Sequence, residues 1–134
     1  MAKQQKVEYS QLEVGYAFPP ASFELTTESV SAYMAATGET DNLFNGTGIV
    51  PPTAIAAWAL VSLLDYIDLP FGTIHLSQEI HSINTASTGD TITCHAQVSR
   101  KQERGQLKLL NIDIDVGNQN KRPILTGKSA FNLP

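Results

Sequence analysis

The sequence predicts an α+β fold in which one antiparallel sheet curls around one long buried helix. The run from Thr53 to Ile67 is apolar on nearly every side, which is typical of a helix that neighbouring elements bury. From Ile74 onward, hydrophobic and polar residues alternate with period two, the pattern of strands with one buried face. Glycine-containing turns divide that region into successive segments, as in an antiparallel meander. A helix followed by such strands indicates α+β.

Length and composition indicate a single globular domain covering residues 1–134. Hydrophobic residues make up 42% and charged residues 16% of the chain, which argues against disorder. The net charge of −4, with only nine Lys and Arg, argues against a nucleic-acid-binding surface. The single cysteine, Cys94, excludes an internal disulfide and is typical of a reducing compartment. We expect a cytoplasmic protein, because there is no signal peptide and no apolar run reaches the roughly 20 residues of a membrane span.

The first helix is predicted between Thr26 and Gly38, after a short strand. Either Thr26 or Thr27 can cap it, Glu28 lies in its first turn, and Gly38 ends it. Its buried face is expected to contain Val30, Tyr33, Met34 and Thr37. A loop of about 14 residues follows, from Glu39 to Pro52, and loops of that length are often functional. Pro52 suits the first turn of the next helix.

The strands are predicted from their alternating faces. In the first, Ile74, Leu76 and Ile80 share one face, and His75, Ser77, Glu79 and His81 share the other. The next two strands have inward rows at Ile92, Cys94, Ala96 and Val98, and at Leu110, Ile112, Ile114 and Val116. A final strand covers 124–131, with Pro123 at its start. The turns are placed at Thr88-Gly89-Asp90, Arg104-Gly105 and Gly117-Asn118.

The segment from Tyr33 to Phe44 resembles the active-site loop of the MaoC-like dehydratases and (R)-specific enoyl-CoA hydratases. That loop commonly reads as an aromatic residue, a helical stretch, and then Ser/Thr-Gly-Asp-x-Asn-Pro-Ile-His. In this correspondence Gly38 matches the Gly, Glu39 the catalytic Asp, and Phe44 the catalytic His. Phenylalanine cannot transfer a proton. The resemblance therefore points most closely to the non-catalytic N-terminal-half type, which lacks the active-site His.

Two further segments resemble the same family. Residues 48–53 are similar to its Gly-x-x-Pro-Pro-Thr entry to the central helix, and residues 75–92 to its strand, turn and Gly-Asp step. The resemblance implies a hot-dog fold, in which the sheet wraps around the central helix. It also implies a substrate tunnel between two protomers, which form a homodimer or a heterodimer with a catalytic hot-dog subunit. The implied substrate is an acyl-CoA or acyl-carrier-protein thioester, from fatty-acid, steroid or polyketide metabolism, with no cofactor.

The candidate catalytic residues are Glu39, Asp41 and His75. Either carboxylate can serve as a general base, although Asp41 is equally suited to an Asx turn and Glu39 to a solvated position. His75 can replace the missing imidazole if it faces the tunnel from a partner protomer. His81 lies six residues from His75, roughly 20 Å along a strand, so the two are too far apart for one metal ion. Cys94 and His95 are neighbours on a strand and face opposite ways, which excludes a nucleophilic pair.

The candidate substrate-binding residues lie in the loop and at the start of the central helix. They are Asn42, Phe44, Val50, Thr53, Ala54 and Trp58. Backbone N–H groups at a helix start can stabilise the enolate-like oxygen of an enoyl thioester. Pro51 and Pro52 have no N–H, so these donors must come from Val50 or from Thr53 onward.

Three functions remain open from the sequence. The first is a hot-dog subunit of a hydro-lyase, in which the Asp–His pair belongs to a partner protomer. The second is a self-sufficient homodimeric hydratase or thioesterase that uses Glu39 or Asp41 with His75. The third is a non-catalytic protein that binds an acyl group or another apolar small molecule. The acyl chain, its carrier and the pathway are not encoded in these motifs.

Overall fold

The computed structural model describes residues 6–38 and 47–134. They form two α-helices, α1 (Thr27–Thr37) and α2 (Pro52–Leu64), and a 3₁₀ turn at Tyr9–Gln11. They also form nine strands, which are β1 (Val7–Glu8), β2 (Ala21–Glu24), β3 (Ile49–Val50), β4 (Ile67–Asp68), β5 (Ile74–Ser82), β6 (Ala86–Ser87), β7 (Thr91–Arg104), β8 (Leu107–Gly117) and β9 (Pro123–Leu133). Neither helix is long and apolar enough to cross a lipid bilayer.

Five strands form one antiparallel sheet in the order β2–β7–β8–β9–β5. Two small ladders complete the fold, a parallel pair of β1 and β4 and an antiparallel pair of β3 and β6. Helix α2 packs against the sheet through Ala54, Ile55 and Ala59, which share a core cluster with residues of β7, β8 and β9. The predicted α+β arrangement, one antiparallel sheet with one long helix against it, is therefore confirmed.

The two long inward rows predicted for β7 and β8 are confirmed. Both rows are buried, and they comprise Ile92, Cys94, Ala96, Val98, Leu110, Ile112, Ile114 and Val116. The turns also fall where the glycines predict them, and β9 begins at Pro123, where no ladder donor is needed. His95 stands opposite Asp115 on the outer face and is exposed, while Cys94 faces the core.

Helix α1 begins and ends as predicted. The Thr26 hydroxyl accepts a hydrogen bond from the Ser29 N–H at 3.1 Å, which satisfies a donor of the first turn. Gly38 closes the helix in the left-handed conformation, with φ of 69°. The predicted buried face is only partly correct: Val30 is buried, but Thr37 is exposed and its hydroxyl donates to the Tyr33 carbonyl at 3.0 Å.

Helix α2 is shorter and less enclosed than its sequence predicts. It ends at Leu64, and Ile67 instead begins the strand that pairs with β1. One stripe with i, i+4, i+8 spacing, formed by Thr53, Ala57 and Val61, is exposed on the side away from the core. The prediction of a helix buried on most sides is thus wrong for this stripe.

Strand β5 is an edge strand, and all nine of its residues are exposed. A bulge between His75 and Ser77 inserts one residue opposite β9 and reverses the alternation of faces. His75 pairs with the buried Phe131 on the helix-bearing inner face, whereas His81 pairs with Thr126 on the outer face. The prediction that His75 and His81 share a face is therefore wrong.

Candidate functional site

The candidate site is the first turn of α2. The Pro51 carbonyl accepts hydrogen bonds from the N–H groups of Ala54 and Ile55, at 3.0 and 3.4 Å. Prolines 51 and 52 have no N–H, so Thr53 carries the first amide of the helix. Within the described part of the chain, that amide has no hydrogen-bond acceptor. Among the described residues, the first turn of α2 therefore presents one backbone donor without an acceptor, from an exposed residue.

The Thr53 side chain adds a hydroxyl beside this amide. The Tyr33 hydroxyl, from α1, donates a hydrogen bond to Thr53 Oγ1 at 2.8 Å. Because Thr53 Oγ1 accepts this bond, its own proton remains available for another acceptor. The site therefore contains two donors from a single residue, one from the backbone and one from the side chain.

Aromatic rings surround the link between α1 and α2. Trp58 meets Tyr33 edge to face, with ring centroids 6.0 Å apart, and meets Phe23 in the same way at 6.3 Å. All three rings are half-buried against the core cluster that contains Ala54 and Ile55. Trp58 thus packs against Tyr33, the residue that contacts Thr53. Its predicted contact with substrate stays a prediction.

Val50 and Ala54 lie beside the same turn, with their side chains in the core. Val50 is 1% exposed and pairs with Ala86 in the ladder of β3 and β6. Ala54 is 0% exposed, and its N–H is already used by Pro51. Of the donors that the sequence leaves open at this helix start, Thr53 is the one with unused hydrogen-bonding capacity in the described chain.

The remaining loop candidates are Glu39, Asp41, Asn42 and Phe44. They lie outside the described residues, so their predicted roles stay predictions.

His75 lies near the opposite end of α2 from Thr53. It lines an apolar groove of about 560 Å³ together with Leu60, Leu64 and Phe71. From Thr53 to Leu64 the helix rises about 16 Å, so one chain does not bring Thr53 and His75 together. A proton-transferring role for His75 at the Thr53 end requires a second protomer.

A second concave surface lies on the outer face of the sheet and measures about 760 Å³. Its lining includes Glu79, His81, His95, Asp113, Asp115 and Lys128. In the described chain, no three His, Cys, Asp or Glu side chains form a group that could hold a metal ion. This surface is on the opposite face of the sheet from α2 and Thr53.

The sequence did not identify Tyr33 as part of the site. Its helical spacing predicts only a place on the buried face of α1, and it is the aromatic residue with which the resemblance to the family's loop begins.

The pKa of the Cys94 thiol is raised to about 11 by burial and, to a smaller extent, by Asp115. Such a thiol is a poor nucleophile at neutral pH, as expected for a core residue.

Known proteins resemble this chain in sequence pattern and in fold. A family model described as "FAS1-like, dehydratase domain region" matches residues 13–127. Among curated protein sequences, none matches significantly. The (R)-hydratase of A. caviae involved in PHA biosynthesis has a similar structure, with a TM-score of 0.72 and 25% identity over 92% of this chain and 98% of that one.

Two other solved structures share the fold at lower identity. The R-hydratase PhaJ1 of Pseudomonas aeruginosa gives a TM-score of 0.77 and 17% identity, over 94% of this chain and 84% of that one. The ChsH1–ChsH2 complex of Mycobacterium tuberculosis gives 0.75 and 12%, over 91% of this chain and 98% of the matching one. The architecture is therefore the hot-dog fold, as the motifs implied.

Proposed function

Because the chain belongs to the family of FAS1-like dehydratase domain regions, we propose that it is a hot-dog subunit of an acyl-thioester hydratase or dehydratase. The observation that carries this proposal is the first turn of α2, where Thr53 offers an N–H and a hydroxyl proton that have no acceptor among residues 6–38 and 47–134. Hydrogen-bond donors at this position suit a thioester carbonyl, whose oxygen gains negative charge as a proton is removed from or added to the α-carbon.

We propose that a partner protomer carries the Asp–His pair that transfers the proton. In this reaction a carboxylate and an imidazole orient one water and move a proton. The present chain has Glu39 or Asp41 as a carboxylate but Phe44 at the position of the imidazole. A heterodimer with a catalytic hot-dog subunit would supply the missing group. The ChsH1–ChsH2 complex, which shares the fold, shows that such domains occur in two-component assemblies.

The edge strand β5 supports a partner of this kind. Among the described strands it pairs only with β9, and it exposes Ile74, Leu76 and Ile80 by 55%, 51% and 40%. Phe71, which lines a groove together with His75 of β5, adds further exposed apolar surface and is 104% exposed. Long apolar edge strands in water favour pairing with another chain. A second hot-dog protomer would extend the sheet and cover this surface.

The test is the hydration of crotonyl-CoA, a short trans-2-enoyl thioester, by the purified chain and by the complex with its copurifying partner. If the proposal is correct, the complex hydrates the substrate, and the partner's sequence contains the Asp-x-Asn-Pro-x-His motif. Purification with no such partner, together with no turnover and no binding of butyryl-CoA, contradicts the proposal.

A self-sufficient homodimer is the second candidate, and the exposure of His75 on the inner face favours it. Strand β5 starts beside the end of α2 and ends near β6, which pairs with β3 just before α2. Two copies of β5 paired antiparallel would bring the start of each strand toward the first turn of the other copy's α2. His75 of one copy would then lie at the same end of the other copy's α2 as Thr53.

Mixed dimers distinguish this candidate. When His75→Ala and Thr53→Val chains are co-expressed with different tags, a site shared between copies leaves one of the two sites intact. About half of the wild-type activity is then expected from the mixed dimer, which exceeds the activity of either single-variant homodimer. A site built within one chain leaves no intact site, and the mixed dimer is then no more active than the single-variant homodimers. Binding of butyryl-CoA without turnover in every form supports the third function, a non-catalytic acyl-binding protein.

A further inference from the structure

We propose that Tyr33 is a positioning residue, which fixes the Thr53 hydroxyl as a hydrogen-bond donor to the thioester carbonyl. This inference rests on the proposed function and names two residues of its site. It begins from the 2.8 Å hydrogen bond that the Tyr33 hydroxyl donates to Thr53 Oγ1. Since that oxygen has one proton of its own, the bond from Tyr33 determines the direction in which the proton is left to donate.

Other hydroxyls in the two helices behave differently. The Ser62 hydroxyl donates to the Trp58 carbonyl at 3.0 Å, and the Thr37 hydroxyl donates to the Tyr33 carbonyl at 3.0 Å. Both use their proton on the preceding turn of their own helix, as Ser and Thr commonly do. The Thr53 hydroxyl makes no such bond in the described chain, where Tyr33 is its hydrogen-bond partner. Within the part of the chain that the structure describes, its proton therefore has no acceptor and lies on the exposed side of α2.

Tyr33 is well suited to hold this geometry, because its ring is fixed by packing. The ring meets Trp58 edge to face at 6.0 Å with planes 67° apart, and Trp58 is held in turn by Phe23. A hydroxyl on a fixed ring donates in a defined direction, so the orientation of Thr53 is set before any ligand arrives. Such preorganisation is what makes donors effective toward a developing negative charge.

The two donors of Thr53 match the acceptor that the proposed function requires. A carbonyl oxygen has two lone pairs and can accept both the unused N–H and the hydroxyl proton of one residue. A saturated thioether has no such oxygen. The inference therefore predicts that Thr53 and Tyr33 affect the binding of thioesters selectively.

The experiment compares the binding of butyryl-CoA with that of S-butyl-CoA, in which a methylene group replaces the carbonyl. The full chain is used, together with its partner subunit where one copurifies. Thr53→Val is expected to raise the Kd for butyryl-CoA about 3- to 10-fold and to leave that for S-butyl-CoA unchanged. Thr53→Ser, which keeps the hydroxyl, is the matched control and is expected to bind both compounds like the wild type.

Tyr33→Phe removes the hydroxyl but keeps the ring packed on Trp58. It is expected to weaken butyryl-CoA binding in the wild-type chain and to have no further effect in the Thr53→Val chain. If the hydrogen bond only holds α1 against α2, Tyr33→Phe would weaken the binding of both compounds alike, and that result overturns the inference. So does unchanged butyryl-CoA binding in Thr53→Val. If the wild type binds neither compound, the proposed function itself fails, and this inference fails with it.

Discussion

His75 stacks on Phe131 with ring centroids 4.8 Å apart and planes inclined by 23°. Phe131 is buried in the second core cluster, so one side of the imidazole rests on the core and the other faces outward at the edge of the sheet. This position results from the bulge between His75 and Ser77, which turns His75 toward the helix-bearing face. The contact gives His75 a packing role that is separate from any proton transfer.

Substitution of His75 by Phe and by Ala separates these two roles. His75→Phe keeps an aromatic ring on Phe131 and is expected to unfold in urea at nearly the wild-type midpoint. His75→Ala loses the stacked pair and is expected to be less stable by about 0.5–1.5 kcal/mol. If His75 also transfers a proton in a homodimer, both variants lose crotonyl-CoA hydration, although only Ala loses stability. Retained activity in His75→Phe would exclude a proton-transferring role.

The place of His75 also shows where prediction from the sequence fails. The alternation Ile74, Leu76, Ile80 is read correctly as a strand, but a bulge adds one residue and exchanges the faces at one end. Such an irregularity depends on how β5 fits the neighbouring β9, and the period-two pattern alone does not locate it. Strands β7 and β8 were predicted residue by residue over their buried rows, because their core face is covered throughout that part.

Gly127 of β9 is expected to tolerate no side chain. A Cβ at this position would lie 2.9 Å from the Glu79 carbonyl oxygen and 3.3 Å from Gln78 Nε2, on the neighbouring edge strand. Gly127→Ala must therefore displace β5, and we expect it to cost about 1–3 kcal/mol in the free energy of unfolding. The matched control is Gly117→Ala in β8, where the added Cβ meets only the Arg122 carbonyl, at 3.4 Å. Equal stability losses in the two variants, measured by urea unfolding, would contradict this account.

The burial of Cys94 predicts that the folded protein loses stability at alkaline pH. Burial, and then the Asp115 charge, raises its thiol pKa from 9.0 to about 11. Below pH 9 the thiol is neutral in the folded and unfolded states and contributes no pH dependence. Between pH 9 and 11 the unfolded chain releases this proton more readily, so stability falls as pH rises, by up to about 3 kcal/mol.

The measurement is the free energy of unfolding from pH 8 to 11, for the wild type and for Cys94→Ala. The wild type is expected to lose more stability over this range than the variant, although Cys94→Ala is less stable at pH 8. Tyr9, whose pKa is also raised by burial, is present in both proteins and cancels in the difference. Parallel pH profiles would show that Cys94 is more accessible to water than its 4% exposure indicates.

The candidate site was predictable in part. Its location at the start of α2 followed from the order of Pro52, Thr53 and the apolar run, and from the resemblance to a known family. The partner of Thr53 was not predictable, since Tyr33 is 20 residues earlier and belongs to another helix. Helical spacing assigns Tyr33 to a buried face, but only the packing of α1 against α2 determines which residue its hydroxyl meets.

A substitution in the exposed edge strand β5 tests whether a second protomer binds there. Ile80→Glu places a charge on the inner face of β5, where pairing with a second protomer would bury it. The variant is expected to halve the molar mass measured by light scattering, while its unfolding midpoint for the single chain changes little, because Ile80 is already 40% exposed. Burying an unpaired carboxylate in an interface costs several kcal/mol, enough to dissociate a typical dimer at micromolar concentration.

Val14→Glu is the matched control, since Val14 is 64% exposed and its neighbour Gly15 bonds to β7, away from β5. It adds the same charge to the same chain and is expected to leave the molar mass unchanged. If both variants dissociate the assembly, net charge rather than the β5 surface is responsible. A monomeric wild type would remove the basis for a site shared between copies and would leave the heterodimer with a catalytic subunit as the proposed assembly.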